Sequence, residues 1–407
     1  MTAAADDRLW ADLADLADVG RDARTGGYRR FAWTATDHTL REWFAGEAAS
    51  RGLDLVEDRA GNQWAWWGDP DTTPGVVTGS HLDSVPDGGA YDGPLGVVSA
   101  FAVLDALRAQ GFAPARPVGV VNFVDEEGAR FGVACAGSRV ITGALEADRA
   151  LGLTDADGVT LAEALRATGR RPEDLGADPE ALDRVATFVE LHVEQGGEQG
   201  RRLVDRDRAV GVASGIWPHG RWRVDLPGTA NHAGTTALDD RSDALLAATW
   251  VVQEARRAAE RHGCLATVGK LVVEPGGVNA VPSHVTAWLD ARGADHRAVH
   301  AAVEQVAAAV ARADGTLRQE SWTPPTAFDP ALAARLSRLL DDAPVLATGA
   351  GHDAGILALA GLPTAMIFVR NPSGVSHAPA EHAERDDCLA GVDALTRVLA
   401  DLAGTSA

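Results

Sequence analysis

The chain has 407 residues, 46% of them hydrophobic, and a formal net charge of −21, so it is long enough for more than one core and ordinary enough in composition to be globular. So acidic a chain repels a phosphate backbone or an anionic membrane, which argues against nucleic acid and membrane as partners and leaves a small anionic substrate dependent on a local arginine. Cys135, Cys264 and Cys388 are odd in number, widely spaced and in no paired motif, and the N-terminus lacks the basic start and apolar core of a signal peptide, so a soluble, cytoplasmic protein is expected.

Apolar residues recur at helical spacing over 6–19 and 36–51, and 53–57 and 63–67 then read as strands, the tryptophans of the second serving packing. The β-branched run Val76-Val77-Thr78 leads into Gly79-Ser80-His81-Leu82-Asp83 and a Gly-rich turn to Asp92-Gly93, after which 94–108 is helical. These polar residues fall on a loop leaving a strand end, where open α/β sheets keep their chemistry. Asp83 can orient the His81 imidazole, and Asp92 returns a carboxylate to it. The buried-strand run 118–124 ends in Asp125-Glu126-Glu127-Gly128; residues 145–183 are helical and polar; the run 186–191 ends in His192-Val193-Glu194-Gln195.

From about Val210 the pattern changes. Strands at 212–217 and 222–226, a helix at 239–261, strands at 266–273 and 285–291, a helix at 296–312 and a strand at 316–322 give the order ββαββαβ. That order predicts an α+β domain over 211–325, inserted between two parts of an α/β catalytic domain, 1–210 and 326–407. Its open sheet edge needs covering, so a homodimer through this domain is expected. Further on, 330–340 is helical, Gly349 to Asp353 opens another helix, and 363–369 is a buried strand whose exit loop carries Ser376-His377.

Imidazoles and carboxylates without thiolate, gathered at four strand ends, are the ligand set of a hydrolytic zinc, manganese, cobalt or nickel site. The count suits two divalent ions. If Asp92 bridges them, His81 and His192 complete one site and Glu127 and His377 the other, leaving Glu126 as a base.

The segments Gly79–Asp92, Asp125–Gly128, Leu191–Gly196, Asn231–Thr236, Gly349–Asp353 and Ser376–Glu381 resemble, in order along nearly the whole chain, the M20 family of metallo-hydrolases. The branch they are most similar to holds N-carbamoyl-L-amino acid hydrolases, β-ureidopropionases and allantoate amidohydrolases. The resemblance implies a mostly parallel α/β catalytic domain interrupted by a ferredoxin-like lid that also dimerises. It implies His81, bridging Asp92, Glu127, His192 and His377 as metal ligands, Glu126 as general base, and His232 as the group polarising the scissile carbonyl. Gln195, Asn279 and Arg292 would hold the substrate. His192 stands where the family's peptidase branches put a carboxylate, which favours a carbamoyl or ureido acid over a peptide. Departures are Ala237-Leu238 in place of the usual Pro-Met and the small pair Gly293-Ala294 after Arg292. The rival readings are an N-formyl- or N-acyl-amino acid amidohydrolase, a peptidase, and an inactive binding protein; the last would show a lost ligand or a lost Glu126, and none is lost. His352 and Asp353 read as packing or supporting groups rather than ligands, and Glu381 and His382 as solvated or supporting ones.

Overall fold

The computed structural model describes residues 3–196 and 202–405. Two compact units divide it, one running to Gly215 and resuming at Ala327, the other formed by Ile216–Thr326. Strands β1 (Asp54–Glu57), β2 (Gln63–Trp67), β3 (Gly75–His81), β4 (Val118–Phe123), β5 (Val185–Val193) and β6 (Val210–Ile216) precede the second unit. That unit holds β7 (His219–Pro227), β8 (Asn231–His232), β9 (Leu265–Glu274), β10 (Ala280–Val281), β11 (His284–Arg292) and β12 (Thr316–Thr323). The chain then returns through β13 (Thr326–Ala327), β14 (Val345–Thr348) and β15 (Thr364–Val369).

The first unit is built on a nine-stranded mixed sheet of order β1-β2-β4-β3-β5-β15-β6-β13, with β14 against β6. Its centre, β4-β3-β5-β15, is parallel, while β1, β2 and β6 join antiparallel. Parallel strands covered on both faces need continuous apolar runs, and β3, β4 and β15 are buried at every position. Because these strands share a direction, the ends carrying His81, the Glu126 loop, His192 and the His377 loop emerge on one edge of the sheet.

The helix Pro94–Ala109 follows the β3 loop directly, with Pro94 in its first turn, where a missing N–H costs nothing. It is apolar nearly all round and buried along most of its length, between β3 on one side and the helices Ala3–Leu16 and Arg385–Ala403 on the other. Phe101 is fully buried there, 5.2 Å from the Phe44 ring.

In the second unit β12-β7-β11-β9 form an antiparallel sheet connected as βαββαβ. Helices Ala244–His262 and His296–Arg312 cover the face bearing Trp222, Val224, Leu226, Val285, Ala287 and Leu289. Alternation then puts His219, Arg221, Arg223 and Asp225 of β7 on the opposite face, with Asp290 and Arg292 of β11. β8 and β10 form a separate two-stranded ribbon.

Two expectations are corrected. The strand expected at 212–217, placed with the insertion, is β6 and pairs with β15 in the large sheet, because its apolar residues Val212 and Ala213 are buried there. The helix expected from Asp239 begins at Ala244: Asp243 accepts the N–H groups of Leu245 and Leu246 and so caps it, leaving 238–240 as a 3-10 turn. All three cysteines are free, and no helix among the described residues is long and apolar enough to cross a membrane.

Candidate metal centre

Asp92 is the hub. Its Oδ1 lies 3.1 Å from His192 Nε2 and 3.6 Å from His81 Nε2, and its Oδ2 lies 3.3 Å from His377 Nε2. His377 Nε2 is in turn 3.6 Å from Glu127 Oε2. Two donor triads result, His81-Asp92-His192 and Asp92-Glu127-His377, sharing one carboxylate. Two donors about 2.1 Å from one tetrahedral ion stand roughly 3.4 Å apart, so these separations are those of ligands around a common cation.

The tautomers agree. His81 Nδ1 lies 3.1 Å from the Asp83 carbonyl and His192 Nδ1 lies 2.9 Å from the Val193 carbonyl, and a carbonyl can only accept, so both Nδ1 atoms carry hydrogen. In the neutral rings Nε2 is then a lone pair, and both Nε2 atoms are buried without a hydrogen-bond partner. Two such lone pairs converging on one carboxylate are the donor arrangement of a metal ion.

The local sequence builds this. Gly93, at φ +86°, lets the chain turn from Asp92 into the helix Pro94–Ala109 while lying against the end of β3; a Cβ there would stand 2.5 Å from the His81 ring. Asp83 ties the next strand end in place, its two carboxylate oxygens each accepting at 3.1 Å from the backbone N–H groups of Glu126 and Glu127. Its expected role of orienting His81 falls chiefly to its backbone carbonyl, the carboxylate oxygen being farther from Nδ1 at 3.4 Å.

Glu126 is buried, with Oε2 3.9 Å from His81 Nε2 and Oε1 accepting from the Cys135 thiol at 3.6 Å. Burial, reinforced by Glu127, Asp353 and Asp83, raises its pKa well above the ordinary value against the pull of His81. Burial also pushes Glu127 up to about 7. Asp92 goes the other way, since His192, His377 and His81 outweigh its burial, and His377 is pushed up to about 9 by Asp92 and Glu127 although burial opposes it.

Some neighbours act differently from expectation. Gln195, expected to touch substrate, donates Nε2 to Asp92 Oδ2 at 2.7 Å and to Ser376 Oγ at 3.0 Å. Glu381 is 5% exposed and is a structural clamp: one oxygen accepts the Tyr91 and Asp92 N–H groups at 2.9 Å and the other faces Ser376 Oγ at 3.1 Å. The buried His352 ring lies 4.4 Å from that of His192, and with Glu190 these two form a third donor group. Cys135 and Ser376 went unread, because a thiol or hydroxyl beside a carboxylate leaves no mark in spacing.

Three expected groups belong to the second unit. His232 is exposed on β8, where its Nδ1 accepts from Gly234 N–H at 3.0 Å, which places the hydrogen of the neutral ring on Nε2 as a donor. Ala233 N–H donates to the Asn279 carbonyl at 2.9 Å and His232 pairs with Ala280, so His232 and Asn279 sit together. Arg292 does not join them. The ribbon leaves the Pro227/His284 end of the sheet, whereas Arg292 stands opposite His219, eight residues and so roughly 27 Å further along β11.

Residues 77–401 match the profile of peptidase family M20/M25/M40. An N-carbamoyl-L-amino acid amidohydrolase of Geobacillus stearothermophilus is 36% identical over 98% of both chains. The allantoate amidohydrolase of Escherichia coli K12 is 32% identical over 95% of this chain and 96% of its own. Among solved structures, a hydantoinase/carbamoylase family amidase from Burkholderia vietnamiensis superposes with a TM-score of 0.90 at 32% identity, covering 98% of this chain and 97% of that one. A shared carboxylate between two donor triads, set on the edge of a sheet this similar, puts the chain in the M20/M25/M40 family, to which it belongs.

Proposed function

We propose that the protein is a metal-dependent amidohydrolase acting on a linear C–N bond of a small N-carbamoyl or ureido acid, an N-carbamoyl-L-amino acid or allantoate, with two divalent ions held by His81, Asp92, Glu127, His192 and His377. The observation that carries this reading is Asp92 standing between two incomplete donor triads with the protonatable Glu126 alongside. The choice of substrate class follows the relatives, an N-carbamoyl-L-amino acid amidohydrolase and an allantoate amidohydrolase, and the reading of His192 as standing where the resemblance implies a carboxylate in the peptidase branches.

When bound, the ions would polarise the scissile carbonyl and acidify the attacking water. Glu126 takes the proton of that water and returns it to the leaving nitrogen, a transfer for which a raised pKa is suited. His232 Nε2–H donates to the developing oxyanion, and Arg292 and Asn279 hold the substrate carboxylate. Gln195 reaches the substrate only by giving up Asp92 once that carboxylate binds metal.

One small substrate cannot touch both ends of β11. We therefore assign Arg292 and the His232–Asn279 pair to a given site from two copies of the chain. An exposed edge strand, β9, and the 60% exposed Trp250 on the neighbouring helix support a homodimer through this unit.

The test is a substrate panel of allantoate and of N-carbamoyl, N-formyl and N-acetyl amino acids with dipeptides, assayed for released amine and ammonia after metal loading. Turnover of carbamoyl or ureido acids at least about a hundredfold above the rest is expected. Preference for dipeptides or acetyl amino acids would overturn the reading.

A further inference from the structure

Arg292 ends β11 with its guanidinium already engaged. Nε donates to Asp290 Oδ1 at 2.7 Å and Nη2 to Asp290 Oδ2 at 2.5 Å. Residues two apart share a face of a strand, so the pair is a product of local sequence. Across the sheet Asp290 is paired in register with Arg221, whose Nε is 3.7 Å from Asp290 Oδ2. One carboxylate thus stands between two guanidiniums, and the three side chains are only about a quarter to a third exposed, at 26% for Arg292, 28% for Asp290 and 36% for Arg221.

A carboxylate that grips a guanidinium along its Nε–Nη2 edge fixes the plane of the fork and the torsions of a long, flexible arm. Building on the reading of Arg292 as the carboxylate anchor, we infer that Asp290 is the positioning residue of that anchor, fixing the fork's orientation and matching the cluster's charge to one substrate carboxylate. Two arginines and one aspartate leave a net charge of +1. Burial alone would raise Asp290, but Arg292, Arg221 and His219 hold it below its usual range, so it stays ionised. The same sheet face supplies a comparison: Arg223 forks Asp225 at 2.9 and 2.8 Å with the same two-residue spacing, further along the strands from Arg292.

The experiment compares kcat and KM of the metal-loaded enzyme for an accepted free acid and for its primary amide in four variants: Asp290→Asn, Asp290→Glu, Asp225→Asn and Arg292→Lys. Asp290→Asn should raise KM for the acid at least about tenfold, leave kcat within about twofold and narrow the preference for acid over amide. Asp290→Glu, which keeps the charge but displaces the grip, should fall between it and the native enzyme. Asp225→Asn should change neither constant. An unchanged acid KM in Asp290→Asn, an equal loss on both substrates, or the same shift in Asp225→Asn overturns the inference; if Asp290→Asn does not fold, a native acid KM in Asp290→Glu does so. The two levels separate cleanly. Should Arg292→Lys, which keeps the charge but loses the fork, leave the acid KM native, the anchor reading itself fails; should it raise that KM while Asp290→Asn leaves it native, only the positioning role fails.

Discussion

Glu126 and Asp92 both face His81 Nε2, yet their substitutions should have opposite signatures. Glu126→Gln removes a proton carrier but no metal donor, so kcat should fall by about 10²–10⁴ while metal content by elemental analysis stays at the native value. Metal loss in that variant would mean Glu126 is a ligand. Asp92→Ala takes the shared carboxylate from both triads and should leave the protein without bound metal; full metal retention would remove the bridging assignment. The histidines and carboxylates of this site were legible because they cluster at strand ends in recognisable segments. The groups their supports hold were not. Glu381 holds Asp92 through backbone N–H groups nearly three hundred positions away, and nothing in a linear sequence marks a contact of that separation.

At the level of elements, the clamp and the core make separable demands. Glu381→Ala frees the Tyr91 and Asp92 N–H groups, which should loosen the Asp92 turn and weaken metal affinity by about 10–100-fold, as measured by chelator competition, with much less effect on the melting temperature. The helix Pro94–Ala109 carries stability instead. Phe101→Ala empties a site packed by Phe44 and Trp43 and should cost about 3–5 kcal/mol in denaturant unfolding. That helix was readable because Pro94 and an apolar run announce it. The strand at 212–217 was readable as a strand, yet its allegiance was not, since apolar residues specify burial without naming the sheet that buries them.

For the whole molecule, protons and copies are the levers. In the metal-free protein His377 titrates near 9 and Glu127 near 7, so a cation arriving between them must displace protons. Because the His377 value is raised, its proton stabilises the metal-free fold below the unfolded histidine pKa and is lost as pH rises through about 9. Metal affinity should therefore fall as pH drops from about 9 to 7, by up to about tenfold per unit for each proton displaced, and calorimetry in buffers of different ionisation enthalpy should register proton release. An affinity flat across that range would contradict the assignment. The two-copy reading has its own check: His232→Ala and Arg292→Ala should each be nearly inactive, while refolding them together should restore about a quarter of native activity, since random pairing makes half the dimers mixed and each mixed dimer has one intact site. No recovery in demonstrably mixed dimers would place both groups in one chain.

What the sequence determined by itself is the chemistry: which residues can hold metal, which can carry a proton, and where buried parallel strands deliver them, because side-chain type and hydrophobic period are local properties. The tertiary structure decided everything that depends on distance between residues far apart in the chain. It gave β6 to the large sheet, turned Gln195 onto Asp92 and put Glu381 under the Asp92 turn. It also separated Arg292 from His232 and Asn279 by the length of a strand, a rigid hydrogen-bonded spacer that a listing of residues in order cannot measure.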